Sequence, residues 1–383
     1  MSQQLTRTTT LRGHHRVWQI LRPQGELAAL GRLKAARPRL GVHRFDPRCF
    51  RNEEDLLIEL ALLGFDRVPP VYRLSSSEHG DPADIRVHGY IEGTVLSALR
   101  PKGTSLARVH LRQLASLFGQ MAAVPPSALT LVHSCPPGKR PRTSAEFLHS
   151  LLRFTRTRVW HTHRPQFGSL FASLGIDPGV LAPDGPLGRA AGRLTDRPFC
   201  LLHGDLHRDN LIVGEDDGSL WTIDWELALL GDPVYDLATH LHLMGYPRAQ
   251  EHAMVVRWAG AMETARPGAA DGLVKDLPRY LAYKRVQSVF TDVIRQGMAV
   301  REAPAELLPE QLERAGHTVA AVLRNAAGPL GLRRPPGHRV VEGIYAGYAA
   351  AARQAGTAPA AGPASQPAAE APQTPSLATG FLD

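Results

Sequence analysis

One stretch of this chain restricts its fold and chemistry more than any other. It reads Leu201-Leu202-His203-Gly204-Asp205-Leu206-His207-Arg208-Asp209-Asn210-Leu211-Ile212-Val213, and Leu220-Trp221-Thr222-Ile223-Asp224-Trp225-Glu226 follows it closely. Short apolar runs bounded by charged residues or glycine read as brief strands. Carboxylates between such flanks are costly to bury unless they are paired, hydrogen-bonded or bound to a cation. Two apolar strands ending at Asn210 and Asp224 would bring an amide oxygen beside a carboxylate. A few hard oxygen ligands suit Mg²⁺, which keeps several waters and takes its remaining ligands from phosphate. Asp205, five residues before Asn210, is then free for a separate role and can accept the proton of an attacking hydroxyl.

The rest of the chain divides by texture. Over residues 1–92 strands dominate. Thr8 to Leu11 and Val17 to Leu21 are β-compatible runs around Gly13-His14-His15, and Pro23-Gln24-Gly25 signals a turn. Leu27 to Ala36 reads as a third strand, although its Ala and Leu content also suits a helix. Asn52 is a helix N-cap followed by Glu53, Glu54 and Asp55, and Leu56, Leu57, Leu60 and Leu63 recur at helical spacing before Gly64. Val71 to Leu74 and Ile85 to Ile91 predict two more strands. Residues 93–352 read as mainly helical. Leu114, Leu117, Phe118 and Met121 form one face, Phe147, Leu148, Leu151, Leu152 and Phe154 another, with an exposed loop over 136–143 between them. Residues 353–383 are rich in Ala, Pro, Gly and Ser and predict a disordered tail. The expectation is an α+β chain with a small β-rich lobe, a larger helical lobe and a tail.

Composition narrows the function classes. With 43% apolar and 21% charged residues, the chain has ample material for a core. Lys plus Arg exceed Asp plus Glu by 44 − 36 = 8, which suits a polyanionic ligand. The arginines are dispersed, which speaks against nucleic acid as the partner. Cys49, Cys135 and Cys200 lie far apart without ligand spacing, as in a reducing compartment. No signal-like stretch opens the sequence and no apolar run approaches membrane length, so a cytoplasmic location without a membrane partner is expected.

The string His-Gly-Asp-Leu-His-Arg-Asp-Asn at 203–210, Ile-Asp-Trp-Glu at 223–226 and Asp-Pro-Val-Tyr-Asp-Leu-Ala at 232–238 resembles the aminoglycoside phosphotransferase and choline kinase family. The resemblance implies a protein-kinase-like bilobal fold, with a small antiparallel β-sheet and one helix in the N-lobe and a larger, mainly α-helical C-lobe. It implies ATP and Mg²⁺ as cofactors and transfer of the γ-phosphate to a hydroxyl of a small molecule. By resemblance Asp205 is the catalytic base, Asn210 and Asp224 hold Mg²⁺, and His203 braces the loop. Asp232 and Asp236 cap or brace helix ends. Lys34 is the strand lysine that meets the ATP phosphates, paired with Glu53 or its rival Glu54; its other reading is one more surface cation among Arg32, Arg37 and Arg39. Gly13 marks a phosphate-covering turn. His88-Gly89-Tyr90-Ile91-Glu92-Gly93 resembles the hinge, so Tyr90 and Glu92 fall where backbone groups meet adenine. Gly204 stands where protein kinases carry Arg, Asp232 follows Asp224 by only eight positions, and no Ala-Pro-Glu follows. That leaves no room for a peptide-docking segment and favours a small-molecule acceptor.

Two other readings compete. His203, Asp205, His207 and Asp209 alternate, and on a strand they would share one face as a Zn²⁺ site of a metallohydrolase. A nucleotide-binding pseudokinase is the non-enzymatic alternative. For the acceptor, the sequence admits an aminoglycoside or another antibiotic, with a choline- or sugar-type metabolite as the alternative. Glu226, Asp271, Asp276 and Asp292 are candidate acids for a polycation, yet Arg279, Lys284, Arg285 and Arg295 share the helical stretch with Asp292. Aromatic residues, at 6%, are sparse for a choline cage.

Overall fold

The computed structural model describes residues 5–12, 16–39, 43, 45–75, 84–130 and 140–357. Gly13, Cys135, residues 136–139 of the expected loop and residues 358–383 of the expected tail lie outside the described residues. Strands β1 (Leu5–Arg12), β2 (Arg16–Pro23) and β3 (Leu33–Pro38) form an antiparallel meander. After helix α1 (Glu53–Leu62), β4 (Val71–Ser75) and β5 (Asp84–Gly89) complete a five-stranded sheet in the order β1-β2-β3-β5-β4. Register sets Lys34 opposite both Ile20 and His88.

Two local expectations need correction. The strand read over Leu27 to Ala36 splits into a 3₁₀ turn, Gly25–Leu30, and then β3. Gly31 has φ +68, a conformation that no extended strand carries, and it breaks the run there. In α1, the Asn52 side chain accepts from the Asp55 amide at 2.8 Å, and Leu56, Leu57 and Leu60 are buried. The helix closes at Leu62, so Leu63 lies past its end and is exposed rather than in the apolar face.

Strand β6 (Gly93–Val95) leaves the sheet and leads through the short α2 (Leu96–Leu99) to α3 (Arg108–Ala123). Helices α4 (Ser144–Phe154) and α5 (Thr162–Ser173) join through a π-helical segment, Thr155–His161. Next come α6 (Pro186–Ala191), β7 (Cys200–Leu202), β8 (Leu211–Gly214), β9 (Leu220–Thr222) and β10 (Leu229–Gly231). Helices α7 (Pro233–Met244), α8 (Arg248–Ala265), α9 (Leu273–Glu302), α10 (Leu308–Leu330) and α11 (His338–Thr357) complete the chain; α11 runs past the expected tail boundary. β7 pairs with β10, and β6, β8 and β9 make a second small sheet. One apolar core joins α1 to the helical region through Trp225, Tyr235, Trp258, Tyr280 and Phe290, while Leu21, Leu33, Leu74 and Val87 form a minor core in the large sheet. Among the described residues no helix is long and apolar enough to cross a membrane.

Candidate active site

The β8–β9 hairpin explains why residues far apart in sequence meet. Leu211 pairs with Thr222, so Asn210 precedes and Asp224 follows the same end of the ladder, and the Ile223 amide donates to the Asn210 carbonyl at 3.0 Å. Asn210 Nδ2 donates to the Asp205 carbonyl at 2.8 Å and to its Oδ2 at 3.2 Å. The three side chains line one cleft of about 740 Å³.

The loop between β7 and β8 is held from behind. Asp236, in the first turn of α7, accepts from the amides of His203 at 2.9 Å and Gly204 at 2.8 Å. His203 is fully buried; its Nε2 donates to the Ile223 carbonyl at 3.1 Å while Nδ1 accepts from the Asp205 amide at 3.3 Å. Burial pushes this imidazole down to about 4, in keeping with one nitrogen donating and the other accepting. Gly204 has φ +78, and a Cβ there would stand 2.3 Å from the Leu227 carbonyl oxygen, so only glycine fits. Its bend, and the 3₁₀ turn at Arg208–Asn210, remove the strand on which His203, Asp205, His207 and Asp209 would have shared a face. The alternating Zn²⁺ reading fails for that reason. Arg208, 3% exposed, pins the loop to the carbonyls of Met244, Arg100 and Thr104 at 3.0, 2.6 and 2.7 Å.

Electrostatics separate the two acids. Burial alone would raise the Asp205 carboxyl, but His207, with Nε2 3.5 Å from Oδ2, outweighs it and the net shift is downward. His207 shifts upward: burial opposes its charge, and Asp205 and then Asp209 overcome that. Asp224 is pushed up to about 7 by burial and then by Glu53, Glu226 and Asp205. Its backbone is left-handed, at φ 62 and ψ 60, a strained state for a residue with a Cβ. The Trp225 amide, donating to Glu53 Oε1 at 2.9 Å, helps hold it. A buried carboxylate crowded by three others, next to an amide oxygen, is a donor set that fits a hard divalent cation.

On the sheet side, Lys34 lines the cleft with Nζ 4.3 Å from the Trp18 ring, and burial lowers its pKa against the pull of Glu53 and Asp224. The expected Lys34–Glu53 ion pair does not form. Arg16 takes both candidate partners, at 3.0 Å from Glu53 Oε2 and 2.9 Å from Glu54 Oε1, and its Nε lies 3.6 Å from Glu226. Arg48 reaches Glu226 at 3.1 Å. Burial raises the Glu54 carboxyl, yet the His88 ring at 3.2 Å and Arg16 bring it down to about 2. Glu53, Glu54 and His88 are close enough to share a metal, but a guanidinium already answers both carboxylates. Arg16 escaped the sequence reading although Arg16, Trp18 and Ile20 alternate on the face of Lys34. Tyr90 and Glu92 do not line the cleft with their side chains. Arg32 stacks on Tyr90 at 4.3 Å and donates to Glu92 Oε1 at 2.6 Å.

The acids proposed for a polycation are engaged elsewhere or answered. Glu226 faces Arg16 and Arg48. Asp276 is buried with Arg197 and Arg279, and Asp271 lies outside the cleft lining. Asp292 pairs with Arg295 at 3.6 Å. The cleft is instead closed by Asp46 and one face of α9, most of which the sequence reading passed over.

A family profile described as "Phosphotransferase enzyme family" matches residues 15–271. No curated protein sequence matches the chain. Among solved structures the chain is similar to Plasmodium vivax ethanolamine kinase, with 13% identity, 85% of each chain covered and a TM-score of 0.46. It is also similar to a choline kinase from Streptococcus pneumoniae, with 17% identity, 83% of this chain and 92% of that one covered, and a TM-score of 0.42. A macrolide 2′-phosphotransferase from Brachybacterium faecium gives 19% identity, 88% and 96% coverage and a TM-score of 0.43.

Proposed function

This chain belongs to the phosphotransferase enzyme family, with a kinase-like α+β fold, and from that premise we propose that it transfers the γ-phosphate of ATP to a hydroxyl of a small molecule. The observation that carries the reading is the convergence of Asp205, Asn210 and Asp224 on one cleft by way of the β8–β9 hairpin. Asp205 takes the proton of the acceptor hydroxyl as its oxygen bonds to the γ-phosphorus and the bond to the β-phosphate oxygen breaks, releasing ADP. Asn210 holds Asp205 in place through Nδ2, and with Asp224 it would hold Mg²⁺. Bound there, Mg²⁺ would offset charge on the phosphate oxygens. Lys34 faces the phosphates, and the backbone around Tyr90 and Glu92 meets adenine. The lobe boundary near residues 92 and 93 and a cytoplasmic place of action belong to the same reading.

The experiment is ATP consumption by the purified chain over a panel of hydroxyl acceptors, beside MgATP binding by calorimetry. Asp205→Ala is expected to keep MgATP affinity and lose turnover about 10²- to 10⁴-fold. Asp224→Ala is expected to lose Mg²⁺-dependent nucleotide binding. Absence of MgATP binding in the wild-type chain, or full turnover in Asp205→Ala, overturns the reading.

A further inference from the structure

One wall of the cleft is a single face of α9. Lys284, Gln287, Ser288, Thr291 and Arg295 recur at steps of three, one, three and four, so they stack along one side of the helix. Lys284 is 6% exposed. Its Nζ donates to Gln287 Oε1 at 2.7 Å, and Gln287 Nε2 donates in turn to Asp46 Oδ1 at 2.7 Å. An ammonium has three donors, and this one makes no second hydrogen bond among the described residues; the Tyr235 ring lies 5.5 Å away. Two N–H groups are therefore unspent at a cleft that Asp205 also lines.

Along this stretch of α9 basic side chains predominate. Asp46 is occupied by Gln287, and Asp292 faces Arg295 and Lys102. His242 bonds Ser288 Oγ at 2.8 Å and is pushed down to about 4 by burial, then by Lys284, Lys102 and Arg285. Lys284 and Arg295 line the cleft from α9, with Lys102 and Arg285 close by. Of the acids that line it elsewhere, Glu226 is met by Arg16 and Arg48 and Asp209 by His207, while Asp205 and Asp224 are the base and the metal ligand of the phosphotransferase reading. Trp18 is the one aromatic side chain on the cleft lining among the described residues, and Lys34 already covers its ring. Along α9 no carboxylate is left unanswered and no aromatic cage is present for a cationic acceptor, and Lys284 and Arg295 would repel one.

We infer that the acceptor is a polyhydroxylated, non-cationic molecule, sugar-like and either uncharged or carrying a carboxylate, and that Lys284 selects it by donating to its oxygens beside Asp205. This rests on the phosphotransferase reading of the same cleft. The inference is tested by giving the full chain and MgATP two panels. One holds hexoses, cyclitols and hexuronic acids; the other holds aminoglycosides and choline. Turnover is expected in the first panel. Lys284→Met, which keeps most of the apolar stem, is expected to raise the acceptor KM about 10- to 100-fold, the range for losing a charge-assisted hydrogen bond, with MgATP affinity unchanged. Higher kcat/KM for the cationic panel overturns the inference. So does MgATP binding without turnover of any oxygen-only acceptor, or an unchanged acceptor KM in Lys284→Met. Failure of the wild-type chain to bind MgATP instead overturns the phosphotransferase reading itself.

Discussion

Two acid clusters of this molecule are built around arginines, and they differ in how completely the carboxylates are answered. At Arg197 every oxygen is used. Asp232 Oδ1 accepts from Arg197 at 2.8 Å and from the Val234 amide at 2.9 Å, while Oδ2 accepts from Arg197 at 2.6 Å and Tyr280 at 2.7 Å. Asp276 accepts from Arg197, Arg279 and the Thr195 amide at 2.9 Å. Two acids meet two cations; both acids and Arg197 are wholly buried, while Arg279 reaches the surface. At Arg16, four carboxylates (Glu53, Glu54, Glu226 and Asp224) share Arg16, Arg48 and Lys34, and Asp205 stands nearby with an imidazole as its ion-pair partner. The surplus of negative charge sits in the cleft. A balanced buried network fixes packing, whereas an unbalanced one invites a cation that the chain does not supply.

The largest expected effect separates chemistry from packing. Asp205→Asn is expected to cost about 3 to 5 kcal/mol of barrier in steady-state turnover, with thermal stability near that of the wild type. Arg197→Met is expected to do the reverse, losing about 3 to 5 kcal/mol in urea denaturation because Asp232 stays buried and unpaired. Unchanged stability there would mean that Tyr280 and the Val234 amide suffice. A third test uses acid. His240 is buried, donates to the Leu206 carbonyl at 2.9 Å and accepts from Tyr246 at 2.9 Å, and burial pushes it down to about 4. Its folded pKa lies below the unfolded value near 6.5, so its contribution is complete above that pH and fades as pH falls toward 4. Acid denaturation should show a loss on the order of 3 kcal/mol over this window that His240→Gln reduces. The smallest effect concerns the surplus: Asp224→Asn is expected to gain about 1 kcal/mol of stability without Mg²⁺ and to abolish any rise in Tm on adding MgATP. Loss of stability in that variant would mean that Asp224 is not crowded by like charge.

The loop and hairpin were legible in the sequence because their chemistry is contiguous: His203 to Asn210 and Ile223 to Glu226 carry strand, turn and polar signals within a few residues. The first turn of α1 was legible for the same reason, through Asn52 and its acids. Arg16 was not, because its role arises from strand alternation combined with an antiparallel register that sequence alone does not fix. The α9 wall was only partly visible. Lys284 and Arg295 stand out in the sequence as charges, but the face they share with Gln287 and Thr291 is set by how a 30-residue helix is rotated against its neighbours. The Lys34–Glu53 pairing misled because a second cation, closer to α1, competes for the same carboxylate.

One side chain ties these regions together. Glu53 meets Arg16 through one oxygen and the Trp225 amide through the other, so a single residue on α1 gauges both the sheet and the kinked backbone at Asp224. Sliding α1 by one residue's rise, about 1.5 Å, would unlatch both contacts at once. A push on the outer surface of this helix would therefore be felt at the backbone of Asp224 without anything entering the cleft.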